Sequence, residues 1–236
     1  MYILEGNIGS GKSTFLKLLA QELPYVSIGL EPKNNWLEQV GGQSLLANFY
    51  QNPKRWAYTL ETLAMISRVK EHREEQEHAH PFHIVERSIY SGHYCFAKNS
   101  YENGFLNDIE WNIYQKWFSF LTTDICQLPQ GLIYLRVDPT VAYERAKIRN
   151  RSAEKRLTLA YLKQIHQHHE TFLIDKQGIH LELQTVPILI LDGNIDFEHN
   201  HAQLEKQCAA IEDFLIHTQA RMPQSEEKPY TSPRIQ

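Results

Sequence analysis

The chain predicts an α/β fold, a three-layer sandwich around a five-stranded parallel sheet, and three observations lead there. Five short apolar runs lack the polar alternation of a half-solvated strand, as strands covered on both faces do. Longer helical patterns lie between the runs, which implies parallel pairing through right-handed crossovers. No apolar run reaches about 18 residues, so no segment reads as a transmembrane helix.

The elements follow in order. The first run is "YIL" at Tyr2, and a helical pattern from Ser13 to Glu22 comes after it. The second, "VSIGLE" from Val26, ends on Glu31 and precedes a long helical stretch from Ser44 to His78. The third, "FHIVE" from Phe82, ends on Glu86 and leads to a helix from Asp108 to Thr123. "GLIYLRV" from Gly131 precedes helices at Thr140–Arg149 and Thr158–Lys176. "VPILILD" from Val186 precedes the last, Asp196–Thr218. Residues 1–217 therefore read as one domain, and the Pro- and Ser-rich residues 218–236 as a disordered tail.

Composition narrows the function. The 236 residues are 42% hydrophobic, enough for one substantial core. A net charge of −4 gives no overall basic footprint for a nucleic acid, and no nucleic-acid or membrane partner is expected. Three widely spaced cysteines, Cys95, Cys126 and Cys208, fit a reduced cytoplasmic protein better than a disulfide scaffold or zinc site. The first residues read as a strand and a loop, not as a signal or transit peptide. The histidines of "QIHQHHE" and "EHAHPFH" specify no coordination pattern and read as solvated.

The chemistry begins at "GNIGSGKST", which matches G-x-x-x-x-G-K-[ST] between a strand and a helix. Gly6, Asn7, Ile8, Gly9, Ser10, Gly11, Lys12, Ser13 and Thr14 form a phosphate loop whose N–H groups point inward at a helix N-terminus. Lys12 is expected to neutralise the β- and γ-phosphates of ATP, and Ser13 to hold Mg²⁺. Ligands of open α/β sheets sit beyond the carboxyl ends of the strands, where Glu31, Glu86 and Arg87 fall. One carboxylate could take the proton from an attacking hydroxyl while the other holds Mg²⁺. Arg87 would orient that hydroxyl. "YERAKIRNRSAEKR" places Arg145, Arg149 and Arg151 in an Arg-rich stretch, read as a lid over residues 145–156 that stabilises the transferring phosphoryl.

Together, "GNIGSGKST", "EP" at Glu31, "NPKRWA" from Asn52, "ERSIYS" from Glu86, "EWNIYQKW" from Glu110, "RNRSAE" from Arg149 and "VPILILDGNIDF" from Val186 resemble the deoxynucleoside kinase family, from about Tyr2 to about Leu215. The resemblance implies a P-loop kinase-type fold and ATP-dependent phosphorylation of a deoxynucleoside 5′-hydroxyl in nucleotide salvage. It implies Glu31 as the base with Arg87 beside it, and Glu86 as a Mg²⁺ ligand that is sometimes regarded as the proton acceptor. Tyr50 and Glu154 match residues that hold the sugar 3′-hydroxyl. Ile8, Trp36, Leu46 and Phe96 match pocket walls. Arg145 and Arg149 match lid residues at the phosphates and adenine, and Ile195, Asp196 and Phe197 match the donor-base loop. A homodimer is implied too, with "EWNIYQKWFSFL" apolar enough to contribute to it or to the core.

The departures bear on specificity. Within "WAYTLETLAMISRVK", a helix apolar on most of its circumference, Ala57, Glu61, Ala64 and Arg68 share one face. Glu61 stands where the family usually has a Gln, Gly92 where some members have an Asp, and Lys33 and His93 also depart. An ionised carboxylate only accepts hydrogen bonds. Guanine offers N1–H and N2–H together, with O6 and N7 for Arg68, whereas adenine and cytosine turn an acceptor toward the carboxylate. Purine substrates, guanine first, are therefore expected, unless Glu61 and Arg68 simply pair with each other. A nucleoside monophosphate kinase would need extra cations for its acceptor's phosphate. A nucleotide switch of the GTPase type would need N-K-x-D, which the chain lacks.

Overall fold

The computed structural model describes residues 1–31, 39–40, 43–77 and 80–220. Trp36 and Lys33 lie outside them, as does the tail from residue 221 on. A single sheet runs β2 (Ser27–Gly29), β5 (His83–Glu86), β1 (Tyr2–Glu5), β6 (Gly131–Arg136), β7 (Ile188–Asp192), and every pairing in it is parallel. The short antiparallel pair β3 (Gln39–Val40) and β4 (Gln43–Ser44) stands apart from it.

Side-chain alternation makes three layers. Tyr2 and Leu4 of β1, with Ile133 and Leu135 of β6, pack on α1 (Lys12–Glu22) and the last helix, α10 (His201–Gln219). Ile3, Leu132 and Tyr134 face the other way, onto α3 (Pro53–Gln76) and α6 (Asp108–Asp124). A strand covered on both faces has no reason to carry polar residues on either, hence the continuous apolar runs.

The long helical stretch is two helices. Asn52 ends α2 (Leu45–Gln51) and caps α3, accepting from the Arg55 N–H. Pro53 follows as the first residue of α3, where its missing N–H costs nothing and its ring disfavours helix at residue 52. The last helix starts at His201 behind an Asn200 cap, later than its pattern, and runs two residues past 217, to Gln219. Residues 89–102, which show no helical period, are helical throughout: α4 (Ile89–Ser91), a π-helical stretch (Gly92–Ala97) and α5 (Lys98–Glu102). They are buried almost all round, which erases the amphipathic signal. The helices after β6 are α7 (Pro139–Arg149), α8 (Leu159–His169) with a π turn at Glu170–Ile174, and α9 (Leu181–Gln184).

One surface expectation changes. His169 is buried, donating from Nδ1–H to the Ile165 carbonyl and stacked on Tyr134, rather than solvated. Among the described residues no group of histidines, cysteines and acids could hold a metal ion. Conversely, α6 keeps Ile109, Ile113, Trp117 and Phe120 exposed, Ile109 at 73%. Those residues form a stripe at helical spacing on a face with no partner among the described residues, and Ile66 of the adjoining α3 is exposed as well. No described helix is long and apolar enough to cross a membrane.

Candidate active site

The parallel register gathers the chemistry at the carboxyl edge of the sheet. Leu4 of β1 pairs with Glu86 of β5, and the Arg87 N–H continues the ladder onto the Leu4 carbonyl at 2.9 Å. Beyond β1 the loop turns through glycines in the left-handed region: Gly9 at φ 77° and Gly11, the cap of α1, at φ 91°. A Cβ on Gly9 would stand 2.2 Å from the Ala142 carbonyl oxygen, so glycine is required there. The loop thus presses against α7, and the α1 N-terminus opens onto the cleft.

Lys12 is buried, and its ammonium donates to the Gly6 and Asn7 carbonyls at 3.0 and 2.9 Å. Burial, then the nearby Arg87, pulls it down to about 7 against the opposing pull of Glu86, Glu31 and Glu5. The Ser13 hydroxyl reaches both Glu86 oxygens, at 2.9 and 2.8 Å. A hydroxyl and a carboxylate held together offer the hard oxygen ligands that Mg²⁺ takes, so this pair fits the ion. The Glu31 N–H donates to the same carboxylate at 3.4 Å.

Glu31 is engaged by two guanidiniums. Arg68 Nη2 donates to its Oε1 at 2.5 Å, and Arg87 Nε stands 3.7 Å from the same oxygen. Burial would raise the Glu31 carboxyl, but Arg68, Arg87 and Lys12 outweigh it and hold it below the usual carboxylate range. Arg87 itself sits at φ 69°, an uncommon conformation for a side-chain-bearing residue and a sign of strain tolerated at a site. Its guanidinium lies 4.8 Å from the Phe96 ring centre, and its buried Nη1 has no hydrogen-bond acceptor among the described residues.

One cleft runs from Ile8, Gly9, Lys12 and Ser13 past Glu31, Glu86 and Arg87 to Leu46, Tyr50, Glu61, Ala64, Arg68, Gly92 and Phe96, with Arg149, Arg151 and Glu154 at its side. A second hollow shares Lys12, Ser13, Thr14 and Glu86, and is bounded by Arg145, Arg149, Arg151 and Ile195, Asp196 and Phe197. The two meet at the phosphate loop, the arrangement an acceptor and a donor need. Every described residue expected at the site lines one hollow or the other, apart from Gly6, Asn7 and Ser10, which shape the loop. Phe197 also packs into the core, 4.9 Å from the Phe15 ring.

Glu154 gathers the stretch of arginines: Arg149 bonds one of its oxygens at 2.5 Å and Arg151 the other at 3.3 Å. Arg145 instead donates to the Gly193, Asn194 and Ile195 carbonyls, pinning α7 to the loop after β7. Glu61 and Arg68 do not form an ion pair. The Ser100 hydroxyl donates to Glu61 at 3.0 Å, and Arg68 goes to Glu31. With no cation bonded to it among the described residues, the Glu61 carboxyl is pushed by burial up to about 7, against smaller downward pulls from Ser100 and Arg68.

Some lining residues carry no sequence signal. Phe49, Leu60 and Tyr161 read as ordinary core residues. Glu5 is buried at the end of β1, takes a hydrogen bond from Ser88, and is raised by burial despite Arg87 and Ser88. A charged residue closing a wholly apolar strand was the available sign for it.

The geometry agrees with comparison to known proteins. The family model for deoxynucleoside kinase matches residues 2–216. The chain belongs to the deoxynucleoside kinase family. It is 37% identical to "Deoxycytidine kinase 2" of Gallus gallus, over 90% of this chain and 89% of that one. It is 37% identical to "Deoxyguanosine kinase, mitochondrial" of Xenopus laevis, over 84% and 83%, and 32% identical to "Deoxycytidine kinase" of Homo sapiens, over 90% and 89%. As a deoxynucleoside kinase it is a transferase that phosphorylates deoxyribonucleosides in nucleotide salvage.

The burial of Glu61 has a thermodynamic consequence. Its folded-state carboxyl lies above the ordinary 4.5, at about 7, so its contribution is fully present below 4.5 and lost as pH rises through 7. Glu61→Gln is expected to match wild type near pH 4 and to be more stable near pH 8, by up to about 3 kcal/mol. Urea unfolding at the two pH values measures it.

Proposed function

We propose that the enzyme transfers the γ-phosphoryl group of ATP to the 5′-hydroxyl of purine deoxynucleosides, guanine first. The observation that carries the base preference is Glu61: a cleft-lining carboxylate, 5% exposed, held by a hydroxyl and ion-paired to no cation among the described residues. Ionised, it is a pure acceptor for guanine N1–H and N2–H, with Arg68 reaching O6 or N7. Ala64 and Gly92 leave room for the two-ring base.

In this reading the phosphate loop, Gly6 to Thr14, cradles the donor phosphates, and Lys12 turns from its own carbonyls to the β- and γ-oxygens. Ser13 and Glu86 hold Mg²⁺, which supplies positive charge to the phosphates when bound. Glu31 takes the 5′-hydroxyl proton. Arg87 offers its unmatched Nη1 to an oxygen of the reacting groups. Tyr50 and Glu154 hold the 3′-hydroxyl, while Ile8, Leu46 and Phe96 wall the sugar and base. Arg145, Arg149 and Arg151 serve the phosphates from the lid, and Ile195, Asp196 and Phe197 the adenine. Among the described residues the acceptor side offers acids and phenols, and its Arg68, Arg149 and Arg151 each sit on a carboxylate, which suits an uncharged nucleoside over a monophosphate.

The exposed stripe of α6 supports a homodimer, since a face this apolar on a single chain calls for cover. Three buried, free cysteines support a reducing compartment, the cytoplasm.

Three outcomes follow. Glu31→Gln lowers kcat by about 10²–10⁴-fold with little change in KM, read in a steady-state assay with a purine deoxynucleoside; intact turnover would refute its role as base. Deoxyguanosine over deoxycytidine selectivity in kcat/KM rises about tenfold from pH 6 to pH 8 in wild type, as Glu61 ionises, and is flat and lower in Glu61→Gln. Ile113→Glu with Trp117→Glu converts a dimer to a monomer in analytical ultracentrifugation; an unchanged mass would remove α6 from the interface.

A further inference from the structure

Arg68 stands between two tasks. Its Nη2 donates to Glu31 Oε1 at 2.5 Å and its Nη1 to the Ser88 carbonyl at 3.4 Å. The same side chain lines the cleft beside Glu61, Ala64 and Gly92, where the nucleobase belongs. Its stem runs past Gly92, whose missing side chain leaves the guanidinium without a rival carboxylate from that helix: a Cβ there would lie 3.7 Å from Arg68 Cδ and 3.9 Å from Nε, at ordinary contact. Glu61, two turns earlier on α3, is bonded to Ser100 instead. The guanidinium therefore closes on the acid that is to accept the proton, and Arg87 approaches the same oxygen. An oxygen engaged in this way cannot take a proton without giving up a charge-assisted hydrogen bond.

We propose that Arg68 is a positioning residue that latches Glu31, and that a guanine base releases the latch by drawing the guanidinium to its O6 and N7. The proposal rests on the reading of Arg68 as a base contact. Only a ligand with a differential hold on Arg68 can shift such an equilibrium, and guanine presents two acceptors side by side, O6 and N7, that match a guanidinium, whereas adenine sets its N6–H donor beside N7. The latch has a use. With ATP in place and no nucleoside, the competing nucleophile is water: its oxygen bonds to the γ-phosphorus, the bond from that phosphorus to the β–γ bridging oxygen breaks, and its proton goes to Glu31, leaving ADP and phosphate. A latched Glu31 is withheld from that wasteful hydrolysis, and becomes available when a nucleobase is bound.

The test is phosphate release by the full chain with ATP and Mg²⁺ and no nucleoside, in wild type, Arg68→Met and Gly92→Asp. The second variant keeps Arg68 and gives it a rival carboxylate, so it probes the latch without deleting the guanidinium. Release is expected to rise about tenfold in both, and to fall back when Glu31→Gln is added to either. Release at the wild-type rate in both variants, with their thermal melts intact, overturns the latch, and so does a rise that survives Glu31→Gln. A deoxynucleoside panel on Arg68→Met separates this from the base reading. Lost guanine preference with unchanged hydrolysis keeps Arg68 as a base contact and sinks the latch. Raised hydrolysis with unchanged base preference overturns release by the nucleobase.

Discussion

Four carboxylates and three cations share the water-poor carboxyl edge of the sheet, and the site depends on how each acid is satisfied. An uncompensated buried charge costs several kcal/mol, so every one of them needs an answer. Glu86 takes the Ser13 hydroxyl and the Glu31 N–H. Glu31 takes Arg68, with Arg87 close by. Glu5 takes the Ser88 hydroxyl and is driven toward its neutral form. Glu61 receives a hydroxyl and little else, and it lines the part of the cleft away from the phosphate loop. These answers set the acids apart: Glu86 beside a hydroxyl and an N–H, Glu31 held charged by its cations, Glu5 raised by burial toward its neutral form, and Glu61 pushed up to about 7.

Backbone pairing makes this sorting possible. Parallel strands end on one edge, and the register of β1 with β5 sets Glu86 against the turn that starts the phosphate loop. Arg87 accepts a left-handed backbone while its N–H extends the ladder to Leu4, and Ser88 then caps the next helix. The strain at Arg87 is local, and the surrounding pairing and capping hold it in place.

Much of this was legible in the sequence because it is written in local patterns. The phosphate loop has fixed spacing, the strands are unbroken apolar runs, and Glu31 and Glu86 close two of them. What escaped was set by long-range packing. Residues 89–102 are helical but buried on every side, so no period marks them. Asn52 divides a stretch whose apolar pattern continues across it, although Pro53 marks the place. His169 lies in a histidine-rich run that reads as solvated, yet tertiary packing buries it. The partner of Arg68 was beyond sequence reasoning: Glu61 shares its helix face, and Glu31 wins because folding brings it to 2.5 Å.

The central claim is that a neutral deoxynucleoside, and not a nucleotide, is the acceptor in the cleft. The most direct measurement supplies ATP labelled at the γ-phosphate, with Mg²⁺, to the enzyme and each natural deoxynucleoside or deoxynucleoside monophosphate in turn, and locates the label in the product. The account predicts label on the 5′-oxygen of deoxynucleosides, deoxyguanosine most efficiently, and none transferred to monophosphates. Label appearing in diphosphates, with deoxynucleosides left unreacted, would contradict it.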